Sequence, residues 1–397
     1  MEEPVPPHPR RFLVAALCAL SVVAASAFVL GRLSAGPAPL RTSAATPTVR
    51  AEPTVPDSVS TTLPSPPARS PLDRAYPLPG VGAGTADRAG FSPYVDTSLV
   101  DSRPLAETAR EKGIREFTLA FVVADESGDG CAPSWGGSGL RENPVAAQIG
   151  DVRATGADVR VSFGGADGVE LASACADESG LADAYREVVD TYRLTKVDFD
   201  IEGSELGETA ANDRRARVIA RLQREAAEAG RTLDVSLTLP VMPEGLTEEG
   251  ARLLEGAVAA GVRISGVNIM TMNYGPEYRG DMAEYAGQAA EAVHARLTGL
   301  LALTDADAWR VLGLTPMIGV NDVTAEVFDV GDAEELLEFA RAKGIGRISM
   351  WSVVRDGPCP DGRQPRAVAT CSSIDQEEGD FLRVFAAYEG PRKPLAD

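Results

Sequence analysis

The sequence predicts a (β/α)8, or TIM, barrel, and three observations lead to this α/β fold class. Short apolar runs rich in β-branched residues alternate with amphipathic stretches along residues 87–392. Strict alternation of strands and helices implies a parallel sheet. A stretch of about 300 residues is the usual size of one closed barrel. An open, doubly wound sheet is the alternative, but no Gly-x-Gly-x-x-Gly motif follows the first predicted strand.

The predicted elements follow in chain order. The strands are residues 90–95, 117–124, 159–163, 197–201, 233–239, 267–272, 311–315 and 348–351. The helices between them include residues 105–112, 181–191, 208–229, 248–260, 282–303 and 333–343. Several of these helices are followed by a glycine, which suits a helix C-terminus.

The barrel is preceded by an apolar N-terminal segment, residues 1–32. It contains an uncharged run from Phe12 to Leu30 that follows two arginines. This length suits either a signal peptide, for which Ala-Ser-Ala at residues 25–27 is a cleavage site, or a signal anchor. The arginine pair fits an anchor with its C-terminus outside the cell equally well. We expect an extracellular protein, either secreted or tethered through this segment to the outer face of the cytoplasmic membrane.

Residues 33–86 are predicted to be a disordered spacer rich in Pro, Ser, Thr and Ala. Residues 33–75 contain no aromatic side chain. Such a segment cannot bury enough apolar surface to offset the entropy of ordering it. We interpret it as an extended linker that holds the barrel away from the membrane or wall.

The composition narrows the set of partners. The 397 residues are 44% hydrophobic and 24% charged, with a formal net charge of −20. Such a charge argues against nucleic acid and anionic membrane surfaces as partners. It is neutral evidence about an uncharged sugar polymer. We expect the barrel to be monomeric.

Four cysteines lie outside the apolar run. An even number in an exported domain suggests two disulfides. Three pairings are open, and we predict the one that joins neighbours in order, Cys131 with Cys175 and Cys359 with Cys371. Metal ligation is the alternative, but no Cys-x-x-Cys pair and no nearby histidine supports it.

Three carboxylates occupy alternate positions of the fourth strand and its end. Side chains at i, i+2 and i+4 of a strand point the same way, so Asp198, Asp200 and Glu202 share one face. Crowded carboxylates repel, and one of the three is expected to hold a proton near neutral pH. A solvated acidic face is the other explanation, but such a face rarely alternates with Val, Phe and Ile. We favour a catalytic or ligand-binding site.

The string Val-Asp-Phe-Asp-Ile-Glu-Gly at residues 197–203 resembles the Asp-x-Asp-x-Glu signature of family 18 glycoside hydrolases, the chitinases and their relatives. The fuller family pattern begins with Asp-Gly, where this chain has Thr195 and Lys196. The departure removes one outer aspartate. It leaves the three carboxylates nearest the chemistry in place.

Two further strand ends resemble the same family. The third strand ends in Ser-Phe-Gly-Gly, which contains Ser162 and Gly164 and is similar to the Ser-x-Gly-Gly signature. The eighth ends at Trp351, where the family places the tryptophan that floors the sugar site. Chemistry in (β/α)8 barrels lies at such C-terminal strand ends.

The sixth strand end and a loop extend the resemblance. Met272, Asn273 and Tyr274 resemble the Met-x-Tyr element, with Gly275 where many members have Asp or Asn. The string Cys-Ala-Pro-Ser-Trp-Gly-Gly, which contains Trp135, is similar to the bacterial chitinase D-like branch.

The resemblance implies a retaining mechanism in which the 2-acetamido oxygen of the substrate attacks. Glu202 would be the general acid and then the general base, and Asp200 would bind the acetamido N–H. Asp198 would share a proton with Asp200, Tyr274 would hydrogen-bond the acetamido oxygen, and Trp351 would carry the sugar ring. The substrate-binding residues implied are Trp351, Met272, Asn273, Ser162, Gly164 and Trp135.

This chemistry needs no cofactor and no metal, and it requires a polysaccharide that contains N-acetylglucosamine. Chitin, chito-oligosaccharides, peptidoglycan and N-glycan cores all qualify. Two other classes stay open. A metal-dependent barrel hydrolase could hold Mg²⁺ or Ca²⁺ on the carboxylate cluster, although the chain has only His8 and His294 for a transition metal. A sugar-binding relative that lost catalysis would typically lack the acid that Glu202 supplies.

Overall fold

The computed structural model describes residues 90–99, 104–125 and 130–388. The predicted N-terminal segment and spacer, residues 1–32 and 33–86, lie outside these residues. Within the described part of the chain, no helix combines the length and the apolar character needed to cross a bilayer.

Parallel strands close into a barrel, which confirms the predicted fold class. Hydrogen bonding links the strands in a ring of eight positions, in which the first position is split into two short strands. In chain order the strands are β1 (Gly90–Phe91), β2 (Tyr94–Asp96), β3 (Glu116–Ala124), β4 (Pro133–Trp135), β5 (Ser138–Gly139), β6 (Asp158–Gly164), β7 (Lys196–Asp200), β8 (Asp234–Met242), β9 (Gly245–Leu246), β10 (Gly266–Met270), β11 (Leu312–Thr315), β12 (Gly319–Val320), β13 (Val327–Phe328) and β14 (Arg347–Ile348). The ring runs β1-β14-β11-β10-β8-β7-β6-β3 and closes where β2 pairs with β3.

The split of the first strand has a local cause at Pro93. Proline has no backbone N–H to give to a sheet ladder. Just before it, the N–H of Ser92 donates to the carbonyl of Ile348 at 2.9 Å, and the carbonyl of Pro93 then accepts from the N–H of Thr118 at 2.9 Å. Past Pro93 the N–H of Tyr94 still donates to the carbonyl of Met350, at 3.1 Å, on the β14 side. The other side of the chain pairs with β3, and contacts on both sides close the barrel.

The eighth predicted strand is shorter than residues 348–351, because β14 ends at Ile348. Beyond it, Trp351 forms an isolated parallel bridge with Met317, and the Trp351 N–H donates to the carbonyl of Pro316 at 2.9 Å. Pro316 has no N–H with which to continue the ladder. Trp351 still lies at the C-terminal end of the barrel.

Helices cover the outside of the barrel. In chain order those of the described residues are α1 (Leu105–Lys112), α2 (Ile149–Ala154), α3 (Leu171–Ala174), α4 (Glu178–Tyr192), α5 (Thr209–Glu228), α6 (Glu248–Ala259), α7 (Met282–Leu300), α8 (Asp305–Val311), α9 (Val330–Lys343) and α10 (Asp380–Phe385). α4 begins three residues before the prediction because Asp177 caps it, accepting the N–H groups of Ser179 and Gly180.

Aromatic side chains join β6 and β7 to the helical layer. The rings of Phe163 and Phe199 stack at 5.1 Å between centroids, and both meet the ring of Tyr185 from α4 edge-on. These outward-facing residues alternate with Ser162 and Asp198, which point into the barrel. Burial of the apolar face thus fixes the direction of the polar face.

The N-terminal end of the barrel interior holds an ion-pair network. Arg160 lies 3.2 Å from the carboxylate of Glu116 and 2.8 Å from that of Asp234. Lys196 pairs with Glu116 and approaches Asp158 at 3.4 Å. Lys196, which departs from the family pattern, therefore contributes a structural charge at the end of the barrel opposite the chemistry.

Both predicted disulfides are present in the structure. Cys131 and Cys175 tie the start of the β4 hairpin to the residue after α3, with an S–S distance of 2.03 Å. Cys359 and Cys371 close a loop that follows β14, with an S–S distance of 1.93 Å. The two bridges therefore stabilise different sides of the barrel.

Candidate active site

A cavity of about 290 Å³ opens at the C-terminal ends of the barrel strands. Its wall combines carboxylates with aromatic and methionine side chains. Five of the residues predicted from the sequence line it: Asp200, Glu202, Met272, Asn273 and Trp351. The other predicted residues lie beneath the cavity or outside its wall.

Asp198 lies beneath the cavity and is fully buried. One carboxylate oxygen accepts the hydroxyl of Ser162 at 2.8 Å and that of Tyr94 at 3.1 Å. The other accepts the hydroxyl of Ser236 and, at 3.0 Å, that of Thr238. Hydroxyl donors therefore surround Asp198 and provide hydrogen bonds to both of its carboxylate oxygens inside the barrel.

Asp200 stands one pleat nearer the opening and is also buried. Its Oδ1 atom has no hydrogen-bond partner among the described residues. Burial raises the pKa of Asp200 well above its usual range, and the charges of Glu202 and Asp198 raise it further. The proton shared between Asp198 and Asp200, which the family resemblance implies, stays a prediction, and the hydroxyl groups around Asp198 are additional partners. Asp200 thus presents an unused polar atom next to the cavity.

Glu202 follows β7 with an extended backbone and is partly buried. Burial raises the pKa of its carboxyl to about 7, and the charges of Asp167 and Asp322 contribute. The sequence predicts a raised pKa from the two neighbouring aspartates of the strand. The structure adds two carboxylates from other loops. Near neutral pH, Glu202 can therefore both donate and accept a proton.

Two glycines let the backbone of β6 approach this strand end. Gly164 has φ 97°, and a Cβ atom there would lie 2.1 Å from the carbonyl oxygen of Asp200. Gly165 has φ 88°, and its Cβ would lie 2.5 Å from the ring of Phe121. Its N–H donates to the Asp200 carbonyl at 3.0 Å. Gly164 therefore acts through the backbone rather than by lining the cavity.

Aromatic rings form one side of the cavity. Trp351 stacks on Phe121 at 5.5 Å with 20° between the ring planes, and its ring lies 5.9 Å from that of Tyr94. All three residues line the cavity. Flat apolar faces of this kind can carry a sugar ring. Phe121 and Tyr94 were not identified from the sequence, because a lone aromatic in a strand is typical of any core.

Tyr274 does not line the cavity, although its neighbours do. Met272 and Asn273 face the cavity, whereas Tyr274 is 6% exposed and packs against Tyr278 and Tyr285. Burial and the charge of Glu326 raise the pKa of Tyr274, although the nearby side chain of Thr271 opposes this change. The strand end therefore directs the Asn273 amide, rather than the Tyr274 phenol, toward the site.

Trp135 and Ser162 also take positions other than the cavity wall. Trp135 is 1% exposed, and its Nε1 donates to the hydroxyl of Tyr192 in α4 at 2.7 Å. It joins the β4 hairpin to the helical layer, so its contribution is to packing. Ser162 is fully buried and supports Asp198 from below. Neither residue is placed to bind substrate directly.

Four charged residues at the cavity were missed by the sequence analysis. Asp96 lines it from the end of β2, and Asp167, Asp322 and Arg355 line it from loops after β6, β12 and β14. Asp167 follows the Gly-Gly turn closely, which is a signal that could have identified it. Asp322 and Arg355 lie in loops beyond the strand ends, and no spacing rule singles them out. Within the described residues no group of three His, Cys, Asp or Glu side chains is arranged to hold a metal ion.

Similarity to solved structures agrees with this geometry. The catalytic domain of a hyperthermophilic chitinase from Pyrococcus furiosus aligns with a TM-score of 0.67 and 34% identity, over 75% of this chain and 94% of that one. A GH18 chitinase from Pseudoalteromonas aurantia aligns with a TM-score of 0.51 and 17% identity, over 75% of this chain and 99% of that one, which shows a shared fold. No protein-family model matches the chain.

Two relatives are similar over the barrel. A probable bifunctional chitinase/lysozyme of Escherichia coli (strain K12) is 35% identical over 295 residues, 69% of this chain and 33% of that protein. Endochitinase 11 of Metarhizium anisopliae is 34% identical over 294 residues, 69% of this chain and 56% of that protein. The chain thus spans about a third and about half of these relatives. Fold and site define a (β/α)8 glycoside hydrolase. The chain belongs to glycoside hydrolase family 18.

Proposed function

We propose that the chain hydrolyses β-1,4 bonds next to N-acetylglucosamine in chitin or chito-oligosaccharides. The observation that carries this proposal is the placement of Asp200 and Glu202 on one face of one strand, at a cavity with an aromatic side. A related Pyrococcus furiosus chitinase domain, 33% identical with a TM-score of 0.66 over 76% of this chain and 96% of that one, is described in complex with chito-oligosaccharides. That complex supports the same substrate class here.

In the first step, the protonated Glu202 carboxyl gives its proton to the leaving glycosidic oxygen while the C1–O bond breaks. The acetamido carbonyl oxygen of the same sugar forms the new bond to C1, which yields an oxazolinium ion. In the second step, the Glu202 carboxylate takes a proton from water, and that water attacks C1 and reopens the ring. Two displacements at C1 retain the anomeric configuration.

Asp200 stabilises the intermediate in this proposal. Its unpartnered Oδ1 atom can accept the acetamido N–H, whose partial positive charge grows as the ring forms. Asp200 is two residues from Glu202 on one strand face, so it is poorly placed to attack C1 from the opposite side. The substrate must therefore supply the nucleophile.

We assign the orientation of the acetamido oxygen to Asn273 instead of Tyr274. The Asn273 amide lines the cavity and donates to Asp322 at 3.3 Å, whereas the Tyr274 hydroxyl is buried in an aromatic cluster. Asn273→Ala should reduce kcat, because orientation of the nucleophile is an entropic contribution. Tyr274→Phe is the matched control and should retain most of the activity.

The decisive experiment compares chitotetraose with cellotetraose. Cellotetraose has a 2-hydroxyl and cannot form an oxazoline, so it should be inert even where it binds. A thiazoline analogue of the intermediate should inhibit chitotetraose cleavage, because the site stabilises the cyclised species. Comparable cleavage of both tetrasaccharides, or indifference to the thiazoline, would reject substrate assistance.

We further propose that the barrel works outside the cell as a monomer. The hydrophobic run from Phe12 to Leu30 supports export. The arginine pair before it suits a retained membrane anchor as well as a cleaved signal peptide. The two disulfide pairs are compatible with an oxidising compartment. Size-exclusion chromatography with light scattering and fractionation of expressing cells test these two statements.

A further inference from the structure

Arg355 is a buried cation at the cavity wall that the proposed mechanism does not use. It is 1% exposed, and its hydrogen bonds to the described residues all go to backbone carbonyls. Nη1 donates to the carbonyl of Val368 at 2.5 Å, and Nη2 donates to those of Ile318 at 3.0 Å and Val320 at 2.8 Å. In the described part of the chain no carboxylate forms an ion pair with it. A buried guanidinium used only to hold backbone indicates a role in shaping its surroundings.

The carbonyls belong to two loops that pack tightly against each other. We call residues 316–326 the Asp322 loop and residues 357–373 the disulfide loop. The Val320 N–H donates to the carbonyl of Ser372 at 2.9 Å across their junction. At Gly319, where φ is 75°, a Cβ atom would lie 1.9 Å from that carbonyl oxygen. The junction thus requires glycine, and Arg355 bonds to both of its sides.

Both loops contribute to the cavity wall. Asp322 comes from the first, and Ala367 and Ala369 come from the second. Trp351 lies four residues before Arg355 on the same segment and also lines the cavity. The guanidinium belongs to the Trp351 segment and donates hydrogen bonds to both loops. It therefore connects three parts of the cavity wall. Displacement of any one part would change the shape offered to a sugar chain.

We propose that Arg355 is a positioning residue, which holds the Asp322 loop and the disulfide loop against the Trp351 segment and thereby sets oligosaccharide affinity. The inference rests on the proposed function. Arginine suits this task because its planar fork reaches several acceptors at once, which the point charge of lysine cannot do.

The same geometry links Arg355 to the proton on Glu202. The carboxylates that face Glu202 are Asp200 on its own strand, Asp167 after β6 and Asp322. The Asp322 charge raises the pKa of Glu202, and it also opposes the lowering of the Arg355 pKa to about 10 that burial causes. If the Asp322 loop moves away, the pKa of Glu202 falls. Because the acid must be protonated to act, the basic limb of the kcat/KM profile then moves to lower pH.

The test uses Arg355→Lys, with Arg153→Lys as the matched control. Arg153 also donates to backbone carbonyls, those of Tyr192 and Arg193, but it lies away from the cavity. Arg355→Lys should raise KM for chitotetraose about tenfold, which corresponds to about 1.4 kcal/mol. The basic limb of its kcat/KM profile should shift to lower pH. The control variant should change neither KM nor this limb. In an Asp322→Asn background, the additional shift from Arg355→Lys should vanish.

A binding measurement keeps the inference independent of turnover. In a Glu202→Gln background, calorimetry should show about tenfold weaker chitotetraose binding when Arg355→Lys is added. Arg355→Met, if folded, should weaken it further. If the affinity and the basic limb of the kcat/KM profile are both unchanged, with or without a lower Tm, the positioning role is overturned. Absence of hydrolysis by the wild type would instead contradict the proposed function and leave the binding comparison to decide the role of Arg355.

Discussion

The two ends of the barrel interior treat charge in opposite ways. At the N-terminal end, Glu116 is surrounded by Arg160, Lys196 and Arg347, and although burial opposes the change, these cations lower its pKa to about 2. At the C-terminal end, Glu202 faces other carboxylates, and its pKa rises to about 7. Both glutamates belong to one barrel interior. The charges around each one set its protonation state.

This difference in pKa separates a carboxylate that stabilises the fold from a carboxyl that can transfer a proton. A carboxylate whose folded pKa is lowered stabilises the fold above its unfolded pKa, near 4.5, and that contribution is lost as pH falls toward 2. A carboxyl whose folded pKa is raised does the reverse. Glu202 destabilises the fold as pH rises from about 4.5 through 7, because the folded state holds its proton longer. The fold tolerates this loss of stability at the site where a proton must be transferred.

The largest expected effect is on turnover, at the C-terminal end. Glu202→Gln should lower kcat on chitotetraose by about 10²- to 10⁴-fold, because an amide cannot protonate the leaving oxygen. Steady-state kinetics and thermal unfolding measure the effect. Glu208→Gln, an exposed carboxyl nearby, is the control and should leave kcat unchanged. Turnover of the Glu202 variant within about tenfold of the wild type would contradict the assignment.

At the N-terminal end, Arg160→Met should instead reduce stability, by about 3–5 kcal/mol, because it leaves the partly buried Glu116 and the buried Asp234 without their shared cation. The loss should shrink as pH falls below 4.5, where Glu116 of the variant becomes protonated. Urea unfolding at pH 7 and pH 4 measures both.

The matched control is Arg217→Met, which removes the surface pair with Glu178 and should change stability by less than about 1 kcal/mol. Equal losses for the two arginine variants would mean that the interior network contributes no more than a surface pair does.

The two disulfides allow a further comparison, between two sides of the barrel wall. In the chain-entropy model, the bridge between Cys131 and Cys175, 44 residues apart, contributes about 4 kcal/mol, and that between Cys359 and Cys371, 12 apart, about 3 kcal/mol. Paired Cys→Ser variants should lose stability in that order. Only the second should also raise KM, because its loop lines the cavity. Free thiols at all four positions in non-reduced peptides of exported protein would rule out both bridges.

The smallest expected effect is that of chelation. EDTA should leave hydrolysis unchanged, because both oxygens of Asp198 already accept hydroxyl groups and the raised pKa values of Asp200 and Glu202 disfavour metal ligation. Activity is compared before and after dialysis. If chelation stops hydrolysis and Mg²⁺ or Ca²⁺ restores it, the carboxylate cluster is a metal site.

Local patterns were sufficient to predict the barrel and the strand that carries the carboxylates. Alternation placed Asp198, Asp200 and Glu202 on one face, because the period of a strand is fixed by its backbone. The order of the strand ends placed Trp351 at the same end of the barrel. Short-range rules of this kind do not depend on how loops fold.

The positions of Tyr274 and Trp135 depended on packing, which the sequence does not encode locally. Tyr274 turns away from the cavity because Tyr278 and Tyr285 pack around it, and Trp135 is buried because Tyr192 offers its indole a partner. Each contact joins two segments, and no periodic pattern in the sequence indicates that these segments will meet. Both side chains were assigned to substrate by motif alone, and motifs do not report side-chain direction.

The most direct test of the contrast between the two barrel ends is the titration of Glu202 itself. Protein labelled with ¹³C at the glutamate carboxyl, with the Glu202 signal assigned by its loss in Glu202→Gln, can be followed by NMR from pH 3 to 9. We predict a midpoint near 7 for Glu202, while Glu116, assigned through Glu116→Gln, stays ionised to about pH 2. A Glu202 midpoint near its ordinary 4.5 would contradict the account, because the acid would then be deprotonated at neutral pH.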